Sequence, residues 1–165
     1  MHTFAMSDYR RIRRPGAPVF FTVCLAHPGT TLLVSEIARL RAAARRTLAE
    51  RPVEILAWVV LPDHMHCIWR MPEGDSDYST RWRLIKARFS RELPPGPLRD
   101  SHLTRRERGI WQRRFWEHHL RSDAAIAQAI RQCWNDPVRH GLVSRPEDWT
   151  FSSIHRDLGR IVPAA

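Results

Sequence analysis

Residues 53–71 constrain the fold more than any other part of the chain. Val53 to Leu61 is a continuous run of strand-forming residues, His64 to Met71 is a second, and only Pro62-Asp63 separates them. Two strands joined so tightly pair as antiparallel neighbours. Side chains alternate along a strand, so His64 and His66 project together from one face. Met65, Cys67 and Trp69 fill the opposite, apolar face. Two imidazoles side by side, led in by Pro62-Asp63, make half of a metal site. The same spacing also describes two surface histidines on an edge strand.

Other segments extend the pattern. Pro18 to Leu25 is aromatic and β-branched, hence a strand, and Pro28-Gly29 ends it. A helix is expected from Ser35, with Ser35 as its cap and Ile37, Leu40, Ala44 and Leu48 on one face. A second helix is expected from Ser79, with Trp82, Ile85 and Phe89 at helical spacing, before Pro94-Pro95-Gly96-Pro97. Residues 94–109 read as a mobile loop, and Ile110 to Leu120 as a fourth strand. Ser122 or Asp123 caps a third helix running to about Asn135, with Ile126, Ile130, Cys133 and Trp134 as its apolar stripe and Pro137 as its stop. The expected class is α+β: a ferredoxin-like β-α-β-β-α-β antiparallel sheet with an additional C-terminal helix. A single domain over 1–165 carries it, fronted by a basic arm at 1–16.

Charge narrows the partner. Lys+Arg number 27 against 17 Asp+Glu, a formal net charge of +10, and every cation but Lys86 is arginine. Guanidinium forks match phosphate oxygens and stack on bases, so nucleic acid is the expected partner. The candidates form two groups: Tyr9, Arg10, Arg11, Arg13 and Arg14 in the arm, and Arg81, Arg83, Lys86 and Arg88 around the second helix. The aromatic residues of that helix read as core. Cys24, Cys67 and Cys133 are scattered and odd in number, which argues against a zinc cluster or a disulfide framework. No apolar run approaches the length of a membrane span, and the start lacks a signal peptide's apolar stretch, so a cytoplasmic protein is expected.

Four blocks together resemble the HUH-type tyrosine transposases, in the branch associated with repetitive extragenic palindromes. They are Pro62-Asp63-His64-Met65-His66-Cys67-Ile68-Trp69, Arg113-Arg114-Phe115-Trp116-Glu117-His118, Asp136-Pro137-Val138-Arg139-His140-Gly141-Leu142-Val143 and Trp149-Thr150-Phe151-Ser152-Ser153. The likeness runs in order over roughly residues 8 to 158. It implies binding of single-stranded and hairpin DNA. It also implies a Mg²⁺ or Mn²⁺ ion held by the two histidines and a polar residue of the last helix, here Asp136. In such a family a helix-borne tyrosine attacks the scissile phosphate while the cation stabilises charge at phosphorus.

One feature departs from that pattern. The chain holds two tyrosines, Tyr9 and Tyr78, and neither lies on the third helix. Counting back from the Asp136 block puts Gln132 at the nucleophile position, four residues from Asp136 and on the same flank. Glutamine forms no phosphoester link of this kind. Strand cleavage and transfer, the family chemistry, is therefore expected to be impaired. The alternative is a non-catalytic DNA-binding protein derived from a transposase. A third reading takes His64, His66 and Asp136 as a two-histidine, one-carboxylate site for iron or zinc.

Overall fold

The computed structural model describes residues 16, 18–98, 100–105 and 107–161. The arm residues Tyr9, Arg10, Arg11, Arg13 and Arg14 lie outside them. The elements run β1 (Pro18–Cys24), α1 (Leu32–Ser35), α2 (Ile37–Glu50), β2 (Glu54–Val60), β3 (His64–Arg70), α3 (Tyr78–Ser90), α4 (Asp100–Thr104), β4 (Trp116–His119), α5 (Asp123–Arg139), a 3₁₀ turn (Pro146–Asp148) and α6 (Ile154–Ile161). The described strands form one antiparallel sheet in the order β2-β3-β1-β4. This is the ferredoxin-like plan, with α5 added after β4.

The sheet separates two cores. Alternation sends Val19, Phe21 and Val23 of β1, and Met65, Cys67 and Trp69 of β3, to the face covered by α2 and α3. There Trp69 stacks on Trp82 with ring centroids 4.4 Å apart and planes 9° apart. Ile85, Phe89 and Leu40 complete that core. The opposite face buries Ala57, Val59, Leu61 and Ile68 against Ala129 and Cys133 of α5. A β-bulge between Ile55 and Ala57 makes both cores possible. The extra residue, Leu56, inverts the alternation, so Ile55 points to the first core and Ala57 to the second.

Several boundaries differ from the sequence expectation. Ser35 closes the short α1, its hydroxyl donating to the Leu32 carbonyl, and does not cap α2. α3 starts at Tyr78, one residue early, because the Asp77 side chain accepts from the Thr80 N–H and caps it. The expected fourth strand shrinks to Trp116–His119. Its first half crosses the end of β1, touching it through the Leu25–Trp111 bridge and the Gln112 N–H to Cys24 carbonyl bond. Ile110 and Phe115 then turn into the first core. Within 94–109 the chain forms α4, and Gly96 donates its N–H to the Arg108 carbonyl. A Cβ at Gly96 would come within 2.7 Å of the Gly109 oxygen, so only glycine permits that approach.

The largest difference is at α5. It is capped as expected, with Ser122 Oγ accepting from the Ala125 N–H, but it runs through Pro137 to Arg139. Pro137 has no N–H to give the Cys133 carbonyl and crowds it, yet its ring is buried where it stands and the helix continues. The stop is Gly141, at φ 69°, where the Gly141 N–H bonds to Val138 O and the Leu142 N–H to Pro137 O. That is a Schellman closure.

Candidate functional site

β3 and α5 bring the site together. His64 and His66 stand on the β3 face toward α5, and Asp136, 4% exposed, faces them from the last turns of the helix. Asp136 Oδ2 lies 2.9 Å from His66 Nε2 and 3.3 Å from His64 Nε2. The continuation of α5 past Pro137 adds His140, one turn on, with Nε2 3.3 Å from the same oxygen. Sequence reasoning missed His140 because it ended the helix at Asn135. The i, i+4 spacing from Asp136 was the available signal.

The other ring nitrogens are also engaged. His64 Nδ1 donates to Asp63 Oδ1 at 2.7 Å, and Asp63 itself accepts from the Gly29 N–H at 2.9 Å. His66 Nδ1 is 2.8 Å from Thr22 Oγ1 on the neighbouring strand, and Phe20 stacks on its ring. Both imidazoles are thus held with Nε2 toward Asp136, the role such outer partners play at metal centres. Thr22 and Asp63 are further site residues that the sequence reading did not assign.

Electrostatics follow the geometry. Burial pushes the Asp136 carboxyl up, but hydrogen bonds from His64 and His66 and the nearby imidazole charges outweigh it and hold it well below the ordinary range. Burial lowers the His64 imidazole, yet its bonds to Asp136 and Asp63 prevail and raise it. A carboxylate beside each nitrogen of His64 favours the protonated ring, so a cation bound there competes with that proton.

This donor set fits a divalent cation. His64, Asp136 and His140 offer ligand atoms mutually within 4.8 Å, and His66 joins them through the oxygen it contacts at 2.9 Å. Three imidazoles and one carboxylate are borderline ligands, better matched to Mn²⁺ than to Ca²⁺.

Gln132 lies exposed on α5, one turn before Asp136. No tyrosine among the described residues shares its position. Tyr78 is buried on the opposite sheet face against Phe21 and Phe115. Cys133, next to Gln132, is fully buried in the second core, and burial pushes its thiol up.

The second-helix cations divide. Arg83 is exposed, and Lys86 reaches the Gln112 carbonyl at 2.9 Å. Both line a cavity of about 670 Å³ beside Trp111 and Phe115. Arg81, expected to contact DNA, is instead a structural residue, 2% exposed. Its five N–H donors go to the Asp75 carboxylate (twice) and the Arg51, Pro52 and Asp77 carbonyls. Arg88 is likewise committed, to Thr47 and Glu50. All four belong to α3, across the sheet from the histidines.

Comparison with known proteins adds an independent line. No protein-family profile matches the chain. It is 43% identical over 155 residues to the REP-associated tyrosine transposase of Escherichia coli strain K12, covering 94% of this chain and 87% of that protein. It is 40% identical over 156 residues to a putative REP-associated tyrosine transposase of Haemophilus influenzae, covering 93% and 88%. A solved structure of a REP-associated tyrosine transposase bound to a REP hairpin superposes with a TM-score of 0.83 at 42% identity, over 96% of this chain and 89% of that one.

Proposed function

Because the chain belongs to the REP-associated tyrosine transposase family, we propose that it binds the hairpins and flanking single strands of repetitive extragenic palindromes, with tyrosine-dependent cleavage impaired. The solved relative in complex with a REP hairpin supports the partner, as does the net charge of +10. The observation that carries the reading is Gln132, one turn from Asp136, where the family places its nucleophile. A carboxamide is no phosphoryl acceptor. His64, His66, Asp136 and His140 nonetheless converge as metal ligands would, which favours a retained DNA-processing centre over a module with binding alone.

His64, His66, Asp136 and His140 would hold Mn²⁺ or Mg²⁺, the imidazole majority favouring Mn²⁺. When bound, such a cation neutralises charge on a phosphate drawn to it. Asp63 and Thr22 keep the imidazoles aimed, Arg83 supplies a phosphate contact away from them, and the cations of the 10–14 arm add further phosphate contacts. A DNA partner and three free thiols fit a cytoplasmic location. Among the described residues, no helix is long and apolar enough to cross a membrane.

The test is incubation with hairpin DNA and Mn²⁺. The protein should bind with steep salt dependence and form no covalent adduct. Gln132→Tyr should restore an adduct, and adding His64→Ala should abolish it again. An adduct from the unmodified protein would overturn the reading and direct attention to Tyr9.

A further inference from the structure

The face that carries the metal centre is only half covered. α5 lies over β2 and β3, and the β1–β4 half of the same face is open among the described residues. Register identifies what that half presents. Thr22, hydrogen-bonded to His66, pairs with Trp116 of β4, and Phe20, stacked on His66, pairs with His118. Directly paired residues of an antiparallel ladder point the same way. Trp116 and His118 therefore share the histidines' face, while Glu117 and His119 turn to the first core beside Tyr78.

Trp116 is 72% exposed. The other six tryptophans are buried or half-buried, so this chain places its indoles inside with one exception. The exception sits on the edge strand, two strands from His66, about 10 Å at the usual strand spacing. Arg114 and Arg121, both exposed, flank β4 at its two ends. An exposed indole between cations, on a sheet face continuous with the candidate metal centre, has the chemistry of a base-stacking platform. Bases inside a duplex already stack on one another, so the platform favours an unpaired base.

We propose that Trp116 is the platform of a single-stranded DNA subsite, stacking an unpaired base of a strand whose backbone crosses the metal centre. Phe20 and His118 form the floor beside it. This rests on the DNA-binding reading above and adds where the unpaired flank lies.

The experiment uses the full chain and two probes, a blunt DNA hairpin and the same hairpin with a single-stranded flank carrying 2-aminopurine. The unmodified protein should bind the flanked probe more tightly and quench its fluorescence. Trp116→Ala should weaken the flanked probe about tenfold or more, lose the quenching and leave the blunt hairpin unchanged. Trp116→Phe should recover most of both losses. Unchanged flanked binding and quenching in Trp116→Ala would overturn the platform while leaving hairpin binding intact. Equal weakening on both probes would also overturn it, since the indole would then serve the stem. If the unmodified protein bound neither probe, the DNA reading itself would fall and the platform with it.

Discussion

The two faces of the sheet are built from the same strands and do opposite work. Toward α2 and α3, β1 and β3 present Phe21, Val23, Met65, Cys67 and Trp69, all buried, and three aromatic rings pack around Phe21 alone from α3 and the 110–115 segment. Toward α5, the intervening positions are Thr22, His64 and His66, with Trp116 and His118 on the open edge. One strand period therefore supplies both a core and a candidate centre. The first face is core alone, whereas the second combines a smaller core with the candidate metal centre.

Breaking the closed face should have the largest effect. Trp82→Ala removes the stacking partner of Trp69 and should cost about 3–5 kcal/mol of unfolding free energy in urea titration. Where the variant stays folded, Mn²⁺ affinity should be unchanged. A parallel loss of metal binding would mean the two faces are not separable.

Arg81 comes next. Arg81→Ala leaves three carbonyls and Asp75 without their guanidinium, at about 3 kcal/mol, reduced from a fully buried pair because Asp75 is partly solvated. The Arg81 guanidinium holds the Asp75 carboxyl below its ordinary value. That stability is fully present above the unfolded value, near 3.9, and is lost as pH falls through the lower folded one. Asp75→Asn should flatten the acid limb of the stability curve, and an unaltered limb would refute the pairing's role.

On the open face, Mn²⁺ at a hundredfold excess over its Kd should stabilise the protein by about 2.7 kcal/mol, read as a rise in Tm. His64→Ala or Asp136→Asn should abolish that rise. The pH dependence has opposite signs with and without metal. The raised His64 stabilises the metal-free fold fully below about pH 6.5, and that contribution fades as pH climbs through its folded value. Mn²⁺ competes with the same proton, so its stabilisation should grow over that range. Parallel curves would place the cation elsewhere.

The smallest effect sharpens the comparison most. Thr22→Val keeps the strand and its volume but removes the hydroxyl at His66 Nδ1. Calorimetry should show Mn²⁺ affinity reduced about tenfold, with stability altered by about 1 kcal/mol or less. A larger stability loss with unchanged affinity would make Thr22 part of the core.

What could be read in advance was what depends on near neighbours. His64 and His66 share a face because strands repeat every two residues; Trp82, Ile85 and Phe89 share one because helices repeat every 3.6. Ser122 caps α5 through a bond three residues away. The order of elements, and with it the ferredoxin-like sheet, followed from such periods. That Gln132 stands one turn before Asp136 was legible too, since it needs only the helix register.

The tertiary structure decided the rest. Arg81 carries the same charge in the sequence as Arg83, yet one is enclosed by Asp75 and the 51–52 carbonyls while the other faces solvent. Pro137 stops a helix in isolation, but buried against the second sheet face and followed by the Gly141 closure it is carried through. That extra turn delivers His140 to Asp136. Thr22 reaches His66 across 44 residues of chain, and Trp116 joins their face only through the pairing of β4 with β1. Local periodicity fixes which side of an element a residue occupies; only packing between distant elements fixes what it meets there.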